Sequence, residues 1–405
     1  MKKFNKFLSV AVASAMVMAM AGCGNTDNGS AATGTNAATE SAAASDSAAS
    51  GSVFKIGGIG PTTGGAAVYG LAVQHGAEIA VEEINAAGGI NGCQVEFKFQ
   101  DDEADAEKSV NAYNALKDWG AQIIDGSTTS GACIAVTDKT KEDNMFQITP
   151  SGSAVECVQY DNNFRVCFSD PNQGLASAQY IGENGLAEKI AVIYDSSDVY
   201  SSGIYEKFAK EAENQPFEIV AAEAFTADNK TDFSVQLQKA KDAGADMVFL
   251  PIYYQESALI LTQAAAMGYA PKWFSCDGMD GILGGVDNFD VSLTEGVMLL
   301  TPFAADATDD LTQSFVTKYK EKYGETPNQF AADSYDAIYV IKAAIEKSGV
   351  TPDMSVSDIC DGMKAAMTEI TVDGLTGNGM TWTADGEANK APKAVVIENG
   401  AYKAM

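Results

Sequence analysis

Apolar positions along the chain fall into two periods that alternate from residue 53 onward. Short apolar runs cover 53–59, 95–100, 121–125, 145–149, 190–194, 247–251, 272–276, 296–301 and 394–398, bordered mostly by Gly, Ser, Pro or Asp. Runs of that length with such borders predict buried strands. Between most of them apolar residues recur at helical spacing, at 68–87, 108–119, 205–214, 233–243, 256–267, 311–323 and 331–348. Gly88-Gly89 closes the first of these as a C-terminal stop. Strand–helix alternation predicts an α/β fold whose doubly wound parallel sheets are covered on both faces. The patterned length is generous for one sheet, so two lobes are expected. In such sheets small ligands bind beyond the carboxyl ends of the strands.

The first 52 residues break the pattern. Lys2, Lys3 and Lys6 precede an apolar stretch from Phe7 to Gly22. That stretch falls short of the roughly 20 apolar residues a membrane helix needs, and its layout is that of a secretory signal covering residues 1–22. Met20-Ala21-Gly22-Cys23 is similar to the bacterial lipobox, which implies that Cys23 becomes the lipidated first residue of the mature chain. Residues 23–52 continue from that Cys in Ala, Ser, Thr, Gly and Asn, with no large apolar side chain to bury, and read as a flexible tether. No later run reaches membrane-spanning length. The expectation is a globular body held outside the cytoplasm by a lipid on Cys23.

Composition narrows what that body does. Of 405 residues, 46% are hydrophobic and 20% charged, which is globular. Lys plus Arg number 26 against 55 Asp plus Glu, a formal charge of −29. So acidic a surface repels phosphate backbones and anionic lipids, and nucleic acid is excluded as a partner. One histidine, His75, leaves little general-base or metal-ligand chemistry. No phosphate loop, Gly-x-Ser-x-Gly elbow or His-Glu-x-x-His motif occurs. Gly58-Ile59-Gly60 begins like a dinucleotide fingerprint, but Thr63 stands where the third glycine belongs. Binding without cofactor or metal is expected, rather than catalysis. None of the seven cysteines has zinc-ligand spacing. Cys157 and Cys167 flank a turn-rich segment, where a hairpin disulfide and two buried free thiols both fit.

Short motifs in fixed order carry a resemblance. They are Gly60-Pro61-(x)7-Tyr69-Gly70, Ile84-Asn85-Ala86-Ala87-Gly88-Gly89-Ile90-Asn91-Gly92 and Ile148-Thr149-Pro150, then Phe164-Arg165-Val166, Asp170-Pro171-Asn172-Gln173-Gly174, Tyr200-Ser201-Ser202-Gly203 and Tyr335-Asp336-Ala337. Together they resemble the periplasmic leucine/isoleucine/valine-binding family, type I solute-binding proteins that deliver amino acids to ABC transporters. The resemblance spans 53–400. It implies two lobes, 53–169 plus 302–375 and 170–301 plus 376–405, joined by three crossings near Asp170, Thr301 and Gly374–Gly379. It also implies a monomer that passes its ligand to a membrane permease.

A free amino acid is a zwitterion, so a dry site must offer donors to its carboxylate and an acceptor to its ammonium. Two strand-to-helix junctions offer donors: Ser127-Thr128-Thr129-Ser130-Gly131 and Ser151-Gly152-Ser153. The resemblance puts the carboxylate contacts on Ser130 through its hydroxyl, on Ser151 through its backbone, and on Ser153 through hydroxyl and backbone N–H. It puts Asp277 on the ammonium. Tyr69, Tyr200, Tyr253 and Tyr335 fall on the walls around the ligand side chain, and Thr128 replaces a larger apolar residue of the aliphatic binders. Arg165, the only arginine, falls near the first crossing in a structural role. Helix capping by the serines and a turn role for Asp277 are the plainer readings. The alternative functions are the same fold around an amide, a urea or an aromatic acid, a sensory ligand-binding protein, and an enzyme using Ser130 or Ser153 as nucleophile.

Overall fold

The computed structural model describes residues 51–405; the signal at 1–22, Cys23 and all but the end of the tether 23–52 lie outside the described residues. The chain begins with β1 (Val53–Gly60), α1 (Ala67–Ala86), β2 (Gln94–Asp101), α2 (Ala106–Trp119), β3 (Ile123–Asp125), α3 (Ser130–Asp143), β4 (Phe146–Thr149) and β5 (Asn163–Arg165). It continues with α4 (Asp170–Glu183), β6 (Lys189–Asp195), α5 (Val199–Ala212), β7 (Glu218–Phe225), α6 (Ser234–Asp242), β8 (Met247–Leu250), α7 (Tyr254–Ala266), β9 (Lys272–Ser275) and β10 (Met298–Thr301). Then come α8 (Asp310–Tyr323), α9 (Gln329–Ser348), α10 (Val356–Met367), β11 (Lys393–Glu398) and β12 (Ala401–Ala404).

The strands form two sheets. The first is all parallel in the order β2-β1-β3-β4-β5. The second runs β12-β11-β10-β9-β8-β6-β7, parallel from β7 to β10, with β11 and β12 antiparallel at one edge. Their central strands are short and buried throughout, as both-face coverage demands: every residue of β3, β4, β8 and β10 is buried. Helix α9 packs on α1 and touches β3 and β4, and α10 touches β4, so the chain after β10 returns to the first lobe before ending in the second. Three crossings join the two α/β lobes. Three strands escape the apolar pattern: β5, β7 and β12.

Buried charge pins the third crossing to α9. The Asp336 carboxylate accepts from the amides of Leu375 (2.8 Å) and Thr376 (2.9 Å) and from the Thr376 hydroxyl (2.5 Å). A Cβ on Gly374 would fall 2.4 Å from the Asp336 Oδ1, so only glycine lets the segment approach this closely. Lys390 pairs with Asp333 at 2.8 Å, with 1% and 3% of the two side chains exposed, and also bonds the Thr376 hydroxyl. Burial outweighs the Lys390 charge and raises the Asp333 carboxyl to about 6.

Arg165 anchors the segment after β4. Its guanidinium is fully buried and donates to the carbonyls of Gly152 (3.3 Å), Ser153, Ala154 (2.9 Å) and Val155 (3.4 Å), with Glu387 at 3.3 Å from Nε. Here the hairpin disulfide fails. Cys157 and Cys167 are free thiols. The segment between them is no hairpin, because β5 joins β4 in parallel after a short 3-10 turn at Val155–Val158. Cys157 turns toward the Ser130 carbonyl (3.7 Å), whereas Cys167 lies past the end of β5 on the way to α4.

Lys390→Met would leave Asp333 and Asp336 buried without their cation, a change that costs about 3–5 kcal/mol. Because Asp333 titrates near 6 in the folded chain, above its usual range, its proton relieves the unpaired charge at low pH. The drop in Tm of the variant relative to wild type, measured by calorimetry, should therefore be larger at about pH 8 than at about pH 5.

Candidate functional site

Carboxyl ends of strands from both sheets meet at one place. Tyr69 lies in the first turn of α1 after β1, Thr128 to Ser130 follow β3, Ser151 and Ser153 follow β4, Tyr200 opens α5 after β6, Tyr253 caps α7 after β8, and Asp277 follows β9. These residues, with Gly278 and Phe330, surround a cavity of about 10 Å³. Eight of the nine residues singled out for the ligand are thus brought together: Tyr69, Thr128, Ser130, Ser151, Ser153, Tyr200, Tyr253 and Asp277.

Tyr335 is not among them. Its hydroxyl donates to Glu83 at 2.6 Å, beside Tyr339 at 2.9 Å and Lys318 at 2.6 Å, on the α1/α8 side of α9. Five residues along a helix turn a side chain about 140° away. The aromatic that faces the cavity is Phe330, whose ring lies 4.4 Å from that of Tyr69. The Tyr-Asp-Ala motif marks α9 correctly but not its inward face.

On the first-lobe side the donors are short and already organised. The Ser130 Oγ accepts from the amides of Ser153 and Ala154, each at 3.1 Å, which leaves its own proton free to donate. The expected use of the Ser153 backbone N–H on a ligand is corrected by that bond; its hydroxyl is the group left over. Ser151 Oγ donates to the Thr128 carbonyl (2.6 Å) and Thr128 Oγ1 to the Ile59 carbonyl (3.3 Å), so both serve the loops. Two buried hydroxyls at the cavity have no hydrogen-bond partner among the described residues, Thr129 Oγ1 and Ser153 Oγ. Thr129 also caps α3, whose N-terminus carries partial positive charge.

The second-lobe side is anionic. Asp277 Oδ1 accepts from the Tyr200 hydroxyl at 2.7 Å, and the Asp277 amide donates to Gln173 Oε1 at 3.2 Å. Burial raises the Asp277 carboxyl to about 7, with Asp333 adding repulsion and Tyr200 and Gln173 opposing. Asp170, at the start of α4, was legible only as a hinge mark. It is 1% exposed, and both its carboxylate oxygens lack a hydrogen bond among the described residues. Burial pushes it well above the carboxylate range, the Ser153 hydroxyl and Arg165 lowering it and Asp277 raising it. The Asp170 carboxyl without a hydrogen bond and the Asp277 carboxyl held by Tyr200, near two hydroxyls without partners, suit a small molecule with a positive and a negative end.

The lobes touch each other around the cavity. The Tyr69 hydroxyl, from α1, donates to the Gly278 carbonyl and accepts from the Tyr254 amide at 3.2 Å. Gln329 Nε2 donates to the Asp277 carbonyl at 3.1 Å, and the Gln329 amide to Asp280 at 2.9 Å. Past Thr129, Tyr200 and Tyr253 the site opens into a cavity of about 360 Å³ with Ile252, Phe225, Asp198 and the Glu256–Lys230 pair (3.1 Å) on its walls.

Comparison with known proteins identifies the fold. The family described as "Periplasmic binding protein" matches residues 53–401. Leu/Ile/Val-binding protein homolog 3 of Brucella melitensis is 31% identical over 300 residues, covering 74% of this chain and 80% of that one. The leucine-, isoleucine-, valine-, threonine- and alanine-binding protein of Pseudomonas aeruginosa is 30% identical over 302 residues, 73% of this chain and 78% of that one. Among solved structures, the branched-chain amino acid transporter substrate-binding protein LivJ of Streptococcus pneumoniae, in complex with isoleucine, superposes with a TM-score of 0.78 at 29% identity, covering 87% of this chain and 98% of that one.

Two substitutions on α9 separate wall from scaffold. Phe330→Ala should weaken binding of whatever occupies the cavity by about 1–3 kcal/mol, the value of a buried aromatic contact. Tyr335→Phe should lower Tm through the lost bond to Glu83 yet leave affinity unchanged, as titration calorimetry on both variants would read.

Proposed function

We propose that this chain, which belongs to the periplasmic binding protein family, captures a free amino acid between its lobes outside the cytoplasm and delivers it to the permease of an ABC importer. One observation carries the reading: the hydroxyl-bearing loops at Thr129, Ser130 and Ser153 meet the buried carboxyl of Asp277 around a single small cavity, with the buried Asp170 carboxyl beside Ser153. A carboxylate and an ammonium borne on one carbon meet both demands at once. The relatives named for leucine, isoleucine and valine support the same class of solute. Ser130 and the N-terminus of α3 hold the carboxylate in this reading, Asp277 and Asp170 the ammonium. Phe330, Tyr69, Tyr200 and Tyr253 line the path to the larger cavity, which receives the side chain. Cys23, carried by the lipobox-like Met20-Ala21-Gly22-Cys23, keeps the domain near its permease.

Closure follows from the division of contacts. The donors sit on one lobe and the carboxylates on the other, so the solute gains its full set of bonds only when the lobes meet. The binding of an ammonium also favours the ionised form of Asp277, which titrates near 7 on its own. Below that value capture must expel a proton, so affinity should fall as pH falls.

A thermal-shift screen of the common amino acids identifies the solute, since a ligand at 100 times its Kd adds about 2.7 kcal/mol. With that amino acid, Asp277→Asn should fold normally and bind about 2–5 kcal/mol more weakly. Wild-type affinity should decline between about pH 8 and about pH 6 and the variant should keep less of that slope, Asp170 contributing the remainder. An unshifted melting temperature across the whole amino-acid panel, with a shift for an amide or an aromatic acid, would move the reading to that solute.

A further inference from the structure

The larger cavity, which receives the solute side chain, has walls that do not suit a hydrocarbon. Its charged lining is four carboxylates, Glu103, Asp195, Asp198 and Glu256, against one ammonium, Lys230. Glu103 is paired with Lys108, outside the cavity, and Glu256, 9% exposed, with Lys230 at 3.1 Å. Asp195 accepts from the Ser197 amide (2.8 Å) and hydroxyl (2.6 Å), and Asp198 caps α5 by accepting from the Tyr200 amide (2.9 Å). Neither aspartate has a cation within salt-bridge distance among the described residues. No group of three acidic, His or Cys side chains among the described residues could hold a metal ion, so these charges are spread along the cavity rather than gathered at a point.

Tyr200 connects the small cavity to the large one. Its hydroxyl donates to Asp277 at 2.7 Å and its amide to Asp198 at 2.9 Å. The two acids thus stand at opposite ends of one tyrosine, an interval close to the reach of an extended lysyl side chain from its α-carbon. Along that interval the Tyr200 and Tyr253 rings stack at 5.0 Å, a surface that accepts methylene groups and attracts a cation. Thr129 lines both cavities, is 6% exposed, and its hydroxyl has no hydrogen-bond partner among the described residues. A stranded hydroxyl at that passage marks a route for a polar molecule. Burial raises the Asp198 carboxyl to about 6, Asp195 and Glu256 adding repulsion and the Tyr200 amide and Tyr253 hydroxyl opposing, so it is ionised at neutral pH. An aliphatic side chain laid here would take water from that carboxylate and return nothing. An ammonium or guanidinium would replace the water with a charge-assisted bond.

We propose that the solute is an amino acid with a cationic side chain, of the lysine, ornithine or arginine class, whose distal charge is received by Asp198 and Glu256. This rests on the amino-acid reading above and narrows it. Asp277 holds the α-ammonium at one end of Tyr200 while Asp198 holds the side-chain charge at the other. Lys230 competes with the solute for Glu256 and, being half exposed, is the partner that gives way.

The test is titration calorimetry of the purified chain with lysine, arginine, leucine and norleucine, the last keeping the lysine carbon chain without its charge. Lysine or arginine should bind on the order of tenfold more tightly than norleucine at low ionic strength, and added salt should narrow the gap. Asp198→Asn keeps the helix cap and should cut the preference for the basic solute over norleucine on the order of tenfold. Lys230→Gln should raise affinity for the basic solute, a gain that damage to the fold would not produce. Norleucine or leucine bound as tightly as the basic amino acids overturns the cationic side chain and leaves the amino-acid reading standing. An unchanged preference in Asp198→Asn overturns the role of that carboxylate. A chain that binds none of the amino acids but binds an amide or an aromatic acid overturns both.

Discussion

Parallel strands joined by helical crossovers deliver their carboxyl ends to one edge of a sheet, and the whole site depends on that constraint. Six junctions from two sheets converge: after β1, β3 and β4 on one lobe, after β6, β8 and β9 on the other. Most of them turn from strand to helix on Ser, Thr or Asp, whose side chains are also hydrogen-bonding groups. After β8 the turn is Pro251-Ile252-Tyr253 and the hydroxyl comes from Tyr253. The residues that end the strands are therefore the residues that meet a solute. Phe330 breaks the rule, since it comes from the first turn of α9 and supplies a flat apolar surface.

Burial of charge is the second governing term. Asp170, Asp277, Asp280, Asp333 and Asp336 are all buried near the interlobe region, against the buried cations Arg165 and Lys390. Lys390 serves Asp333 and Arg165 serves backbone carbonyls, so Asp170 and Asp277 are left without a cation of their own. Unpaired carboxyls in a dry cavity hold their protons more tightly and attract positive charge from solution. The same imbalance that makes this region costly to fold makes it favourable ground for a positive group.

Much of this was legible in the sequence, for reasons that can be named. Apolar runs such as 247–251 are strands because nothing else explains a short, wholly apolar segment between breakers, and β8 is there. Serine and aspartate junctions were visible as turn chemistry. β7 was not, because Glu218–Phe225 reads EIVAAEAF, rich in helix formers, and becomes a strand only by pairing with β6 at the sheet edge. Tyr335 was misplaced because a motif fixes a helix but not the phase of the residues around it. Asp170 looked like a hinge mark since nothing local reveals that its carboxylate is stranded; only packing against Ser153 and Arg165 does. Cys157 and Cys167 kept two readings open until β5 proved parallel to β4.

The Tyr69 hydroxyl ties Gly278 and Tyr254 of one lobe to α1 of the other using protein groups alone. A clamshell with a catch of its own owns a shut basin in its energy landscape that does not depend on cargo. Some fraction of collisions must then find the door closed, and the apparent on-rate is scaled by the share of molecules standing ajar. The catch lengthens residence once something is inside, so retention is obtained at the expense of speed of uptake.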